Sequence, residues 1–176
     1  MKLVEETHPL LRQTCDFFDF ENPIIDPYEL SNELQKIRKD GRGVGLAAPQ
    51  VGLNTSALVI GMGNFQTEGA QDYEQIFFNP SITEYSEDTV LMVEGCLSYP
   101  GLYLKVKRPE SIVLTWYSEE GSKCYQKFGG MTGRILQHEI DHINGITFQR
   151  RANRFHLNQA QKERKYISRR RKNEAN

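Results

Sequence analysis

Apolar positions recur in two rhythms along this chain, one helical and one strand-like. Between Asp26 and Gly41, Leu30, Leu34 and Ile37 follow the i, i+4, i+7 spacing of a single buried stripe. Asp26 is suited to cap this helix, Pro27 to its first turn, and Glu29 completes a D-x-x-E capping pattern. Gly41 breaks the pattern, and Gly43-Val44-Gly45 begins something else. The middle of the chain changes period. Ala57 to Ile60, Gln75 to Phe78, Ser81 to Tyr85, Val90 to Val93, Tyr103 to Val106, Ile112 to Tyr117 and Cys124 to Phe128 are short strand-like runs, many rich in β-branched and aromatic residues. Turn signals separate them, among them Gly61-Met62-Gly63, Asn79-Pro80 and a hairpin at Glu120-Gly121. Residues 64–74 read as an exposed loop.

A second helix is predicted from Thr132 to Asn144, with Leu136, Ile140 and Ile143 as its stripe and Gly145 at the C′ position. His138 and His142 occupy the adjacent face, so this helix is expected to be buried among the strands. A third helix from Asn153 has sparse apolar positions (Phe155, Leu157, Ala160, Tyr166, Ile167), and Ser168 to Asn176 are expected to be disordered. These elements predict an α+β fold with antiparallel or mixed β-sheets around a central helix, flanked by N-terminal and C-terminal helices. No internal repeat or low-complexity linker divides the 176 residues. One domain is expected, with 1–152 as its body and 153–176 as a helix or tail of the same unit.

Composition narrows the class. At 38% hydrophobic and 26% charged residues the chain reads as an ordinary globular protein. No apolar run approaches the roughly 18 residues of a membrane span. The first residues carry acids and no signal-peptide core, and three cysteines show no disulfide framework, so a cytoplasmic location is expected. Charge is unevenly placed. Of the 22 Lys and Arg and 23 acids, residues 150–176 hold ten and two, a balance of +8; the remaining 12 bases and 21 acids leave the body at −9. A basic tail of this kind suits a polyanion such as RNA, or else is simply a solvated helix.

Candidate chemistry centres on the second helix. His138-Glu139-Ile140-Asp141-His142 is an H-E-x-x-H motif: histidines four apart share a helix face, so both imidazoles can reach one metal ion, with Glu139 beside them to exchange a proton with water. Two ligands are too few for a catalytic site, which usually has three and an open position. An extended protease motif would need histidine at 148, where the chain has Phe148. A downstream glutamate is available in Glu163, but Gln161, Lys162, Arg164 and Lys165 surround it, the setting of a solvated charge. Cys96, between a strand-like run and a turn, would complete a Cys-His-His set. Cys15 and Cys124 are its rivals in principle and read better as small core residues.

Three segments, Gly43-Val44-Gly45-Leu46-Ala47-Ala48-Pro49-Gln50, Glu94-Gly95-Cys96-Leu97-Ser98 and Gln137-His138-Glu139-x-x-His142, resemble the signature motifs of peptide deformylases in order and approximate spacing. The resemblance covers roughly residues 8 to 150. It implies a deformylase fold whose residues 1–152 form the catalytic domain, and a metal-dependent hydrolase that releases formate from the formyl-methionine of new polypeptides. It further implies Cys96, His138 and His142 as ligands of one divalent ion, ferrous iron physiologically, with zinc, nickel or cobalt also accepted by such a set. Glu139 would be the proton carrier, and the Gln50 amide and Leu97 N–H the donors to the developing oxyanion. Val44, Gly45 and Gly95 would meet the substrate backbone, Val44, Met92, Met131 and Ile135 its methionine side chain, and Arg108 would brace Glu94. The chain departs from the bacterial pattern after Pro100, where Gly101-Leu102-Tyr103-Leu104 replaces an arginine-containing stretch. As partners the resemblance implies nascent formyl-Met peptides and, through residues 153–172, the ribosome. A monomer with no membrane association is expected. The competing readings are a zinc endopeptidase using Glu163, and a metal-free RNA- or ribosome-binding module.

Overall fold

A computed structural model of the chain describes residues 1–62 and 74–174. The loop expected over 64–74 lies, apart from Glu74, outside the described residues. Helix α1 (Pro27–Asp40) begins where the sequence predicts, with Asp26 Oδ1 accepting from the Tyr28 and Glu29 N–H groups at 3.0 and 3.1 Å. Seven strands follow: β1 (Gly45–Ala47), β2 (Ala57–Gly61), β3 (Glu74–Tyr85), β4 (Thr89–Gly95), β5 (Tyr103–Pro109), β6 (Ser111–Tyr117) and β7 (Lys123–Gly129). Then come helices α2 (Gly130–Ile143) and α3 (Arg154–Glu174). Strands β1-β2-β3-β6-β7 form one antiparallel sheet in that order, and β4-β5 form a second, two-stranded one.

The five-stranded sheet is covered on both faces because its central strands are apolar at successive positions. Leu58, Ile60, Phe77, Leu114 and Trp116 point to one side, where they pack with Leu136, Ile140 and Ile143 of α2. Ala57, Val59, Ile76 and Phe78 point to the other and meet Leu30 and Leu34 of α1. A third, smaller core forms where Tyr99, Leu102, Leu104, Val106 and Phe148 are covered by Leu157 and Ala160 of α3. Helix α2 is thus buried between sheet and hairpin, and Gly145, at φ +66°, ends it in the left-handed conformation expected of a C′ residue.

Two expectations are corrected. Asn79-Pro80 does not separate two strands; β3 runs through it, bending at a register shift between Phe78 and Ser81. Asn79 takes φ +49° there and its side chain closes the bend, accepting from Phe18 N–H at 2.7 Å and donating to the Phe18 carbonyl at 3.0 Å. A proline is tolerated in a strand at such a bulge. At the C-terminus, Ser168 to Glu174 continue α3 as helix, in keeping with the good helix propensity of arginine and lysine.

Candidate metal centre

The burial of α2 forces a question about each of its polar side chains, because an unpaired charge or imidazole inside a protein is costly. The positions from Gly133 to Ile143 are all buried, and Arg134, His138, Glu139, Asp141 and His142 are among them. Most of these are answered by a network behind the helix. His138 Nδ1 meets Glu94 Oε2 at 2.9 Å, which leaves its Nε2 for another partner. Glu94 is gripped by Arg108 at 2.7 and 3.0 Å and by Arg134 at 3.0 Å. Arg108 also donates to Asp141 at 2.7 Å, and Arg151 closes the far side of Asp141 at 2.6 and 3.1 Å. Burial opposes ionisation of Glu94, but the His138 hydrogen bond and the Arg108 guanidinium hold its carboxyl well below the ordinary range.

In front of the helix the accounts do not close. Cys96 Sγ lies 3.2 Å from His142 Nε2, and the ligand atoms of Cys96, His138 and His142 are all within 4.8 Å of one another. Among the described residues these three are the group able to hold a metal ion. His142 Nδ1 and Glu139 Oε2 are buried with no hydrogen-bond partner. Burial disfavours a charge on His138, yet the neighbouring Cys96 sulfur and Glu94 carboxylate raise its pKa well above the ordinary imidazole value. His142, equally buried and facing cationic neighbours, is pushed well below. The cluster thus borders a shared space with a thiol and two imidazoles. That donor set, soft sulfur plus nitrogen, fits a divalent transition metal.

A cavity of about 470 Å³ opens over this cluster, within the usual size for a small-ligand site. Gly43, Val44 and Gly45 form one wall, Gly95, Cys96, Leu97 and Tyr103 another, and His138, Glu139 and Gln50 the base. Among the described residues strand β1 is the last of its sheet and pairs only with β2, so the cavity runs along an edge strand. Gly45 cannot carry a side chain: a Cβ there would overlap the Glu139 carboxyl group. Gln50 is fixed from both ends. Its Oε1 accepts from Ala47 N–H at 2.9 Å, and its Nε2 donates to Ser98 Oγ at 3.1 Å beside Cys96 Sγ at 3.5 Å. Burial, the largest influence, raises the Glu139 pKa to about 7.

Of the residues singled out from sequence, Cys96, His138, Glu139, Gln50, Leu97, Val44, Gly45 and Gly95 line this cavity, His142 joins Cys96 and His138 in the ligand cluster, and Glu94 and Arg108 stand behind it. Met92, Met131 and Ile135 lie outside its lining: Ile135 is in the α2-side core, where Val44 also packs, and Met131 is 41% exposed. Glu163 is exposed on α3, away from the ligand cluster. Sequence reasoning missed Arg134, Asp141, Arg151 and Ser98. Arg134 had a signal, since it stands four residues before His138 on the same helix face; the others are united only by folding.

The polypeptide deformylase family model matches residues 1–158. Peptide deformylase of Synechocystis sp. is 38% identical over 120 residues, covering 68% of this chain and 63% of that protein. The chain spans about three fifths of the length of the first curated relatives it matches. Among solved structures, a peptide deformylase from Synechococcus elongatus, in complex with actinonin, superposes with a TM-score of 0.83 at 32% identity, over 93% of this chain and 86% of that one. The Plasmodium falciparum peptide deformylase gives 0.82 at 30% identity, over 97% of both chains. With the family model matching most of its length, and the Cys-His-His cluster in place beneath the cavity, the chain belongs to the polypeptide deformylase family.

Proposed function

We propose that this protein hydrolyses the formyl amide at the N-terminus of new polypeptides, releasing formate and a free methionine amine. The observation that carries the reading is the convergence of Cys96, His138 and His142 under a cavity that also contains Glu139 and Gln50. These three residues would hold one divalent ion, ferrous iron by family precedent, with zinc, nickel or cobalt as substitutes. When bound, the ion supplies Lewis acidity, polarising the formyl oxygen and lowering the pKa of the attacking water.

The remaining work falls to the chain's own groups. Glu139, with a pKa near 7, takes the proton from water and returns it to the departing amine. As the formyl carbon becomes tetrahedral its oxygen gains charge, and the Gln50 Nε2 amide and the Leu97 backbone N–H are the donors for it. Gln50 needs little reorganisation, because Ala47 N–H already holds its carbonyl end. The segment Gly43–Gly45 leading into β1 and the end of β4 at Gly95 leave room for an extended peptide to pair between them. Val44 would border the methionine side chain, with Met92, Met131 and Ile135 further behind. Glu94 orients His138 and is itself braced by Arg108.

Residues 1–152 would form the catalytic body and 153–176 a basic appendage of the same domain. Helix α3 carries its bases on a largely exposed surface, the support for a ribosomal partner that brings the protein to nascent chains in the cytoplasm as a monomer. Among the described residues no helix is long and apolar enough to cross a membrane. The deciding experiment is formate release from a formyl-Met-Ala-Ser peptide by anaerobically prepared protein of measured metal content. Turnover is expected; a fully metallated protein that released no formate would overturn the reading.

A further inference from the structure

The most buried charge on the α1 side of the sheet has no part in the chemistry above. Arg38 is 1% exposed, yet each arm of its guanidinium is committed. Nε donates to Gln35 Oε1 at 2.6 Å and Nη2 to Glu74 Oε1 at 2.7 Å. Nη1 bridges two main-chain carbonyls, Gly43 at 2.9 Å and Gly61 at 3.0 Å. These carbonyls sit where the β1–β2 ladder ends: Gly45 pairs with Ile60, and one step beyond it Gly61 N–H donates to the Val44 carbonyl at 2.9 Å. Gln35 Nε2 adds a bond to the Ile60 carbonyl at 3.1 Å. The main chain of the same arginine completes the grip, since the Arg38 carbonyl accepts from Gly43 N–H at 2.8 Å. Gly43 is therefore held at both its N–H and its C=O by one residue.

The surrounding chain is shaped to admit this guanidinium. A Cβ on Gly61 would overlap it, and Arg42 takes φ +55°, an uncommon conformation for a side-chain-bearing residue, just before the peptide that Arg38 holds. Gly43 to Gly45 is the backbone that borders the cavity. We propose that Arg38 is a positioning residue for the reaction: it sets the edge of β1 at the place and angle where an extended peptide can pair with it. The inference rests on the deformylase reading and adds to it a residue outside the three sequence motifs. Removing the guanidinium leaves the buried Gly61 carbonyl and the part-buried Gly43 carbonyl without this donor, so the edge strand loosens while the Cys96, His138, His142 and Glu139 cluster, on other elements, stays as it is.

Arg38→Met, which keeps the length and apolar volume of the side chain, tests this in the full-length metallated protein. The expected result is an unchanged metal content, kcat within about twofold, and KM for formyl-Met-Ala-Ser raised about tenfold, the scale of one or two lost backbone hydrogen bonds. Hydrogen exchange of the Gly61 amide should quicken, while that of β3–β6 amides should not. Arg38→Lys, which brings one ammonium to the same carbonyls, should fall between the two and serves as the test if Arg38→Met does not fold. Faster exchange with an unchanged KM would reduce Arg38 to a structural tie and overturn the inference, as would a fall in kcat at constant KM. Absence of turnover in the parent protein would instead count against the deformylase reading; Arg38 would then be judged by exchange, and an unaltered Gly61 amide would overturn its positioning role.

Discussion

Helices α2 and α3 are both rich in charge and differ in almost everything that charge does. On α2 the ionisable groups are buried, and those facing backward have defined partners: Arg134 and His138 on Glu94, Asp141 on Arg108 and Arg151. On α3 the same residue types mostly face water among the described residues, and Leu157, Ala160 and Arg164 are positions that touch the body. The contrast shows that a charged residue becomes part of a site when burial removes its solvent and geometry supplies a partner. Left in water it contributes little to stability and remains available to a partner molecule.

The largest expected difference comes from exchanging the two candidate third ligands. Cys96→Ala should lose the metal, by elemental analysis, and with it formate release, whereas Glu163→Ala on α3 should keep both. Metal retention by the cysteine variant would break the comparison at its centre.

Next in size is stability. Arg108→Leu removes the buried guanidinium shared by Glu94 and Asp141, leaving Arg134 and Arg151 as their remaining cations, and a loss of about 3 kcal/mol in urea denaturation is expected. Lys162→Leu, on the exposed face of α3, should shift stability by less than about 0.5 kcal/mol.

The network also carries a pH signature. Glu94 has a folded pKa below its ordinary value of 4.5, so below that value the unfolded chain binds a proton the folded chain does not. Its contribution is complete above pH 4.5 and is lost as the pH falls toward the folded pKa. Urea midpoints in the presence of a chelator should therefore drop on acidification, and the drop should be shallower in Glu94→Gln. An equal slope in the two proteins would show that another carboxylate dominates.

The smallest effect sharpens the other side. Reversing two exposed charges, Lys162→Glu with Lys165→Glu, should leave folding and peptide turnover unchanged and weaken ribosome binding several-fold at low salt, with a reduced salt dependence. Unaltered binding would return α3 to the role of a solvated helix.

Much of this was legible in the chain. Local patterns specify local geometry, so Asp26-Pro27 announced α1, β-branched and aromatic runs between turn signals announced the strands, and two histidines four apart announced a shared face. The three motifs were sufficient to single out Cys96 over Glu163 and Phe148. Where the reading failed, one cause was long-range and the other local. Asn79-Pro80 looked like a break because a turn signal says nothing of the Phe18 backbone that secures the bend from 61 residues away. The far end of α3 looked disordered because low apolar content was weighed above helix propensity.

By itself, then, the sequence determined most of the elements, a candidate metal-binding set and the family, because helical and strand periodicity and motif spacing are properties of neighbours along the chain. Beyond the Arg108–Glu94 pair that the family resemblance implied, tertiary structure decided which charges answer one another. Glu94, Arg108, Arg134, Asp141 and Arg151 come from two hairpin strands, one helix and the segment after it, and Arg38 reaches the carbonyls of both Gly43 and Gly61. No spacing rule connects them. All of them but the half-exposed Arg151 were buried by the packing of α1, α2 and the sheets, and a buried charge must find its partner wherever the fold has placed one.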